Sequence, residues 1–581
     1  MRRDVRRHWL SAIAVVAAFV AFCDGTENVP CPVSENRSGH ENIDGRLARV
    51  GLMTDTHVTE DPARFVRVKA ALELFRDVRV EMIVNCGDVG DCYCIPGYRT
   101  YRKTFNEVYP DAASRPKEVY VYANHDLYKS HQSPAEAFAR MKDALEAPNG
   151  PVAAFSWKGF PFLVFPQMTG QAGFPSWTDY EAAVAKACRE NPGKPVFVID
   201  HVPPAGTTFH SRHWGSAESR RVLDKYPQVV SISGHVHGSL ACERQIWQGA
   251  FTAVNAGCLY TWGGFASGST PPAQAKDNYG VLVMDVFPDR LEFARYDVRD
   301  RSEQGPKWVV PLPFASADAP YRPENAAQRL PRPAFASGAA VTVTPEGEGY
   351  RVSFDGAGTG PEAFLYRIEV AHRAADGRWT VRSRDETFGE FWKVPGERSG
   401  RLSFHLDAAL FDPGAENRVT VTPLNCFYRS GEPIAATVRA EVPLPLLLWR
   451  DDRPMEDCTF TEYGKPVERT ESGCFAPPSG QGTLHLPDHV FAGLKPGTAH
   501  RLVLEIDSNQ PDGDWCGWRV TLNARGRKNP LATVQNAAGA PGPLRYVFSF
   551  KVPKKGLDSC DILFNLQSPG SSLHVLSLEL R

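Results

Sequence analysis

The sequence predicts an α/β domain with helices flanking its strands, followed by two all-β sandwich domains, and three observations carry that prediction. Short apolar strands alternate with helical stretches between about 46 and 300, the pattern of an α/β domain. Helical signals then stop at a proline-rich stretch, and only alternating strands follow it. Half of the sixteen histidines fall between His57 and His237, which concentrates ligand chemistry in the first domain. At 581 residues the chain is too long for one core.

Arg2, Arg3, Arg6 and Arg7 precede a largely apolar run over 10–22. That is the layout of a secretory signal, expected over 1–23, and the run is shorter than the roughly 20 residues of a spanning helix. Ala21 and Cys23 are spaced for cleavage behind Cys23. Phe22 stands where a lipid-modified cysteine needs a small residue, so lipoprotein anchoring is the lesser alternative. The expectation is an exported chain, periplasmic, cell-surface or extracellular, with no transmembrane segment once mature. Twelve of the thirteen cysteines would remain, and an oxidising destination favours disulfides. Cys458 with Cys474 and Cys242 with Cys258 are close enough in sequence to pair. Basic and acidic residues nearly cancel, 65 against 67, so no overall charge points to nucleic acid as a partner.

Within 45–300, strands are expected over 48–53, 82–86, 119–123, 196–200 and 229–233, with helices over 63–78, 134–145 and 177–189. Strands at 251–254, 280–287 and 291–298 close the domain. Seven prolines lie between Pro306 and Pro333, so 301–335 reads as an extended linker or a surface strap. Residues 336–443 show strands such as 350–354 and 365–370 and a hairpin turning at Asp376 and Gly377. Their rhythm is similar to that of a fibronectin type III sandwich. Residues 446–581 form a second all-β unit, similar to a jelly roll, with strands at 501–506, 518–522, 544–550 and 574–580. Trp515 and Trp518 are expected in its core, a sugar platform being the alternative.

Five segments set polar residues directly behind strands: Asp55-Thr56-His57, Gly87-Asp88-Val89-Gly90-Asp91, Asn124-His125-Asp126, His201 and Gly234-His235-Val236-His237. Side chains leaving the carboxyl ends of neighbouring strands converge on one crevice. Carboxylates, imidazoles and an amide oxygen without thiolate suit Mn, Fe or Zn. Asp55, His57, Asp88, Asn124, His201, His235 and His237 are too many for one ion, and two divalent ions sharing a carboxylate would use them all. Such a pair clamps the attacking and leaving oxygens of a phosphoryl group, which points to phosphate ester hydrolysis.

The ordered set D-x-H, G-D-x-x-D, N-H-D, H and G-H-x-H resembles the calcineurin-like metallophosphoesterase family over about 190 of the 581 residues. The resemblance implies a metallophosphoesterase-type β-sandwich flanked by helices. It would put Asp55, His57 and His237 on one metal and Asn124, His201 and His235 on the second, with Asp88 bridging. His125 would stand at the leaving oxygen, oriented by Asp126, and a metal-bound hydroxide would be the nucleophile. Two positions depart from the pattern. Ala123 replaces the usual glycine of the third motif, and Asp91 stands where purple acid phosphatases carry a tyrosine, so no Fe(III)-tyrosinate centre is expected. Asp91 itself reads as a turn former or a support to the ligands.

Arg212 and His213, between two of the motifs, read either as a wall of the pocket that contacts substrate or as part of a solvated loop. Cys92 and Cys94 are expected in disulfides to distant partners rather than as ligands. The expected function is an exported dinuclear-metal phosphoesterase acting on a phosphomonoester or phosphodiester, either a small molecule or a lipid- or glycan-linked phosphate. The C-terminal β domains would contact glycan or cell surface. The alternative is a surface glycan- or cell-wall-binding protein whose first domain is a non-catalytic scaffold.

Overall fold

The computed structural model describes residues 45–580 except 172–173, 261–278, 313, 315–316, 359–362, 413, 441–445, 451–458, 469, 471–473, 478–480, 487–490, 492–493, 510–517, 525–529, 537–542, 558 and 566–571. The expected signal segment 1–23, Cys458, Trp515 and the Trp518 side chain lie outside the described residues.

The chain runs β1 (Ala48–Met53), α1 (Pro62–Asp77), β2 (Met82–Asn85), α2 (Ile95–Val108), β3 (Lys117–Tyr120) and α3 (Pro134–Leu145). It continues through β4 (Ala153–Trp157), β5 (Phe160–Val164), α4 (Trp177–Glu190), β6 (Val196–Ile199), α5 (Ser211–Trp214) and α6 (Ala217–Leu223). Next come β7 (Val229–Ser233), β8 (Ile246–Gln248), β9 (Thr252–Asn255), β10 (Gly280–Val286), β11 (Arg290–Asp297), β12 (Trp308–Pro311) and α7 (Pro323–Arg329). Helix starts follow local chemistry. Asp61 caps α1 ahead of Pro62, and Ser133 and Ser176 open α3 and α4 with capping boxes to Glu136 and Asp179.

Two six-stranded sheets result, ordered β12-β11-β10-β1-β2-β3 and β4-β5-β6-β7-β9-β8. β1, β2 and β3 run parallel, as do β5, β6, β7 and β9. Strands buried on both faces need continuous apolar runs, and these supply them. Val50, Leu52 and Val84 of the first sheet meet Phe162, Phe197 and Ile232 of the second in one core. On the outer faces, Leu72 and Phe75 of α1 and Phe105 of α2 pack with Ile83, and Tyr180 and Val184 of α4 pack with Val198. The first domain is therefore a β-sandwich flanked by helices, the architecture that the resemblance implies.

The proline-rich stretch is docked onto this sandwich as a strap. β12 occupies the sheet edge, where Pro311 removes no needed donor. Trp308 is buried and donates from Nε1 to Glu243 Oε2 at 3.0 Å, while the Tyr321 hydroxyl accepts from Val309 N at 2.7 Å.

The chain divides into two compact units, the described chain passing from one to the other after Arg329. The second unit holds two all-β modules. The first has β13 (Thr342–Glu346), β14 (Gly349–Asp355), β15 (Leu365–Arg373), β16 (Trp379–Phe388), β17 (Arg401–Asp407), β18 (Glu416–Leu424) and β19 (Ile434–Arg439). They form sheets β13-β14-β17 and β16-β15-β18-β19, and Gly377 turns the β15–β16 hairpin at φ 84°. The second has β20 (Leu446–Arg450), β21 (Thr459–Glu462), β22 (Lys465–Pro466), β23 (Gln481–His485) and β24 (Ala499–Asn509). β25 (Trp518–Ala524), β26 (Ala532–Asn536), β27 (Leu544–Lys551), β28 (Cys560–Asn565) and β29 (Ser572–Leu580) follow. Its sheets are β20-β29-β24-β27 and β22-β21-β23-β28-β25-β26.

The cysteine expectations are corrected. Cys242 is a buried thiol without a disulfide, so its pairing with Cys258 is not formed, and Cys258 Sγ instead lies 3.7 Å from the Asp55 carbonyl. Cys92 and Cys94 are likewise thiols. Each is fixed by its own loop, which brings none of them to a partner sulfur.

Candidate metal centre

The expected ligands occupy the loops that leave β1, β2, β3, β6 and β7. Main-chain bonds lock these loops together. Asp55 N donates to Gly87 O and His57 N to Asp88 O, both at 3.0 Å, and Gly234 N donates to His201 O at 2.9 Å. Side chains then stitch one sheet to the other. His235 N donates to Asp55 Oδ2 at 3.0 Å, and His201 Nδ1 meets Cys86 O at 2.8 Å. Asp55, His57, Asp88, His235 and His237 all have positive φ, at 51°, 44°, 48°, 70° and 47°. Each such non-glycine residue costs on the order of 1–3 kcal/mol and persists only where its surroundings dictate it. The two glycines preceding ligands are required by crowding: a Cβ on Gly87 would stand 2.6 Å from His201 Nδ1, and one on Gly234 1.9 Å from Thr54 Oγ1. Ala123 fits the third motif because its methyl occupies the space beside Gly87, 2.9 Å from where a Cβ there would lie.

The ligand atoms fall into two groups that share a member. Atoms of Asp55, His57, Asp88 and His237 lie within 4.8 Å of one another, and so do those of Asp88, His201 and His235. His57 Nε2 is 3.2 Å from His237 Nε2, His237 Nε2 is 3.1 Å from Asp55 Oδ1, and His201 Nε2 is 3.0 Å from Asp88 Oδ2. Asn124 joins them by donating its backbone N to Gln167 Oε1 at 2.9 Å while its Oδ1 stays buried without a partner. Asp55 Oδ1 and His201 Nε2 are buried as well, and what faces them is other members of the cluster, His237 Nε2 and Asp88 Oδ2. Buried polar atoms are normally satisfied, and an unpartnered amide oxygen beside carboxylates and imidazoles that face one another is the donor set a pair of hard or borderline cations requires. The residues present fit two divalent ions.

The electrostatics agree. Burial pushes Asp55 and Asp88 towards neutrality, but His237 and His201 beside Asp55 and His201 beside Asp88 outweigh it and hold both carboxyls low. Burial likewise opposes charge on His201, yet Asp88 and Asp55 raise it to about 9. His235 is pushed down to about 4 by burial and the charge on His201. The cluster is a buried anionic pair that draws positive charge onto its imidazoles.

One expectation changes. Asp126 does not orient His125. Fully buried, it accepts from Gly90 N at 2.8 Å, the Tyr98 hydroxyl at 3.0 Å and Ala123 N at 3.2 Å, and so ties the second motif to the third. The partner of His125 is Asp91, whose Oδ1 is 3.1 Å from Nδ1. Hydrogen bonding from His125, then from His57, holds the Asp91 carboxyl far below its usual range. Arg64 of α1 pairs with Asp91 at 3.3 Å and reaches the Tyr260 hydroxyl at 3.1 Å. Tyr260 lies against His57, ring centroids 4.7 Å apart. Arg64 and Tyr260 went unnoticed in the sequence. Only the placement of Arg64 in the first turn of the helix after the first motif could have signalled it.

Arg212 is exposed on α5, and the His213 side chain lies outside the described residues. That helix brings Trp214 to the cluster instead, its ring 6.3 Å from His235.

No curated protein matches the chain. Among solved structures, a dimetal phosphatase from Danio rerio is 12% identical at TM-score 0.33, the match covering 45% of this chain and 98% of that one. A purple acid phosphatase from yellow lupin (Lupinus luteus) seeds is 15% identical at TM-score 0.32, covering 45% and 53%. The C-terminal CBM6 of a marine laminarinase from Zobellia galactanivorans is 10% identical at TM-score 0.15, covering 20% and 85%. The family model described as calcineurin-like phosphoesterase matches residues 48–239. Those residues contain every ligand loop described above, so residues 48–239 carry a calcineurin-like phosphoesterase domain, the kind of domain that hydrolyses phosphoesters with bound metal.

Proposed function

We propose that the chain is exported and hydrolyses a phosphomonoester or phosphodiester at two divalent ions. Asp55, His57 and His237 would hold one and Asn124, His201 and His235 the other, with Asp88 between them. The observation that carries this reading is the membership of Asp88 in both ligand groups, with the buried and unpartnered Asn124 Oδ1 in an adjoining loop. Bound there, the ions would supply Lewis acidity to the phosphoryl oxygens and an acidified water as nucleophile.

The chain's own groups do the rest. His125 Nδ1 donates to Asp91 Oδ1, so the ring, when doubly protonated, can give its Nε2 proton to the departing alcohol and return to the neutral imidazole. Asp126 holds the Gly90 and Ala123 loops in register beneath Asp88 and His125. Export rests on the four arginines and the apolar run at the N-terminus. The three-on-four strand order of 336–443 supports its likeness to a fibronectin type III domain.

The test is hydrolysis of p-nitrophenyl phosphate and bis-p-nitrophenyl phosphate by purified protein loaded with Mn, Zn or Fe(II). Activity with one of them is expected, and inertness of metal-replete protein across a broad phosphoester panel would sink the reading.

A further inference from the structure

Among the described residues three aromatic side chains are strongly exposed, Tyr128 at 57%, Trp214 at 41% and Tyr463 at 78%. Scattered exposed apolar residues need no explanation, and Tyr463, in the turn between β21 and β22, is such a case. Tyr128 and Trp214 are different, because both stand at the metal centre. The Tyr128 ring lies 6.1 Å from that of His125, and the Trp214 ring 6.3 Å from that of His235. Neither position is accidental to the loops. Tyr128 N donates to the carbonyl of the ligand Asn124 at 2.9 Å, so the turn carrying Asn124 and His125 also carries Tyr128. Trp214 stacks on His210 with centroids 6.0 Å apart and planes at 28°.

The centre opens on this same side. The side chains of His57, His201, Asp55 and Asp88 are at most 2% exposed, whereas that of His125 is 37% exposed. An ester whose phosphoryl group reaches the buried ligands must trail its alcohol past His125 and the adjoining Tyr128. Large aromatic surface left in water beside a polar cleft is recovered when a ligand covers it, and aromatic faces favour other flat rings beyond simple area.

We propose that Tyr128 and Trp214 form a rim that seats a flat aromatic ring on the alcohol of the substrate. The preferred esters then carry an aryl group or a nucleobase a short distance from the phosphate. This rests on the phosphoester hydrolase reading of the same site.

Two substrate pairs with matched alkoxide leaving groups test it on the metal-loaded full chain: 2-phenylethyl phosphate against 2-cyclohexylethyl phosphate, and adenosine 5′-monophosphate against ribose 5-phosphate. If only diesters turn over, the methyl esters of the same compounds replace them. The aromatic member should lead in kcat/KM by at least about fivefold in one pair, the range expected of ring stacking. Which pair responds tells an aryl group from a nucleobase. In Tyr128→Ala/Trp214→Ala the ratio should fall to within about twofold of unity, and in Tyr128→Phe/Trp214→Phe it should persist. Metal content and melting temperature report that each variant is folded. Wild-type ratios near unity in both pairs, or ratios untouched by the alanine changes, overturn the rim while leaving the hydrolase reading intact. If every ester is inert, the hydrolase reading fails separately, and calorimetric titration with the same compounds still decides the rim: a ring preference lost in the alanine variant upholds it, and equal binding within both pairs overturns it.

Discussion

Buried charge is handled in opposite ways in the two units. In the metallophosphoesterase domain, Asp55, Asp88 and four histidines converge with an amide oxygen left over, on a backbone held at positive φ in five places. In the second unit, Glu505 is buried and Asp412 partly buried, but each carboxylate is matched by arginine. Arg545 pairs with Asp412 at 2.7 Å and Glu505 at 3.1 Å, and Arg382 with Asp412 at 3.2 Å and Glu505 at 3.0 Å. These bonds join strands of the two β modules, with Arg382 on β16, Glu505 on β24 and Arg545 on β27. One cluster is complete as protein and structural. The other sets carboxylates against imidazoles and an unpartnered amide oxygen, a donor set that cations would complete, and its strain marks it as the working part. A buried charge cluster indicates function when its protein partners run out, not merely because it is buried.

The sharpest way to break this contrast is Asp88→Asn. It keeps the shape of the residue shared by both ligand groups but removes the charge that holds two cations together. Activity should fall by about 10³-fold or more, and metal analysis should find fewer than two ions per chain. Unchanged metal content and turnover would mean that this donor set has another purpose.

The second unit should respond in stability, not chemistry. Arg545→Met leaves Asp412 and Glu505 short of a partner in a mostly buried setting and should cost about 3 to 5 kcal/mol, read by denaturant unfolding, with phosphoesterase kcat/KM unchanged. Changing Arg545, Arg382, Asp412 and Glu505 together to apolar residues of similar volume should recover most of that loss, because a satisfied ion cluster and a packed apolar one are nearly equivalent. No such apolar exchange can rescue the metal loops. If the fourfold variant stays as unstable as Arg545→Met, the cluster does more than fill space.

A smaller effect is expected from Asp91→Asn, which weakens the hold on His125 without removing a proposed ligand. It should lower kcat by roughly 10- to 100-fold with both metals retained, and it should move the alkaline limb of the pH–rate profile. Loss of metal with no change in that profile would instead make Asp91 part of the metal support through His57, whose Nδ1 lies 3.9 Å away.

Asp91 also shows where sequence reading stops. The ligand loops were legible because their signal is local: a polar residue at the end of an apolar strand, with β1 and β7 matching their expected bounds at Ala48–Met53 and Val229–Ser233. The partner of His125 was not, because choosing Asp91 over the adjacent Asp126 depends on how two loops 34 residues apart in sequence are turned. Only the packing of Tyr98 over Asp126 settles that choice. The proline-rich stretch has the same character. Proline density reveals extended chain, but docking needs Trp308 to find Glu243, 65 residues away in sequence. The Cys242–Cys258 pair failed for a related reason, since proximity in sequence says nothing of where loops anchored on different strands send their sulfur atoms.

The smallest predicted effect separates the two clusters by pH. In the metal-free centre His201 is raised to about 9 by Asp88 and Asp55 against the opposing effect of burial, while the unfolded value is about 6.5. A raised histidine contributes stability that is fully present below about 6.5 and lost as pH climbs through about 9. His235, lowered to about 4, is already neutral in that window and does not offset the loss. The melting temperature of metal-free protein should therefore decline between pH 6.5 and 9. Metal ligation needs the same imidazoles unprotonated, so apparent metal affinity should rise over the same window and loading should release protons measurable in weakly buffered solution. His372, 3.0 Å from Asp412 in the cluster of the second unit, is held below its usual range by burial and by Arg382 and Arg545, so it is neutral in this window and does not set the slope. A metal-free melting temperature that is flat or rising from pH 6.5 to 9 would mean that Asp55 and Asp88 do not charge the imidazoles, and with that the proposed difference between the two clusters would lose its electrostatic basis.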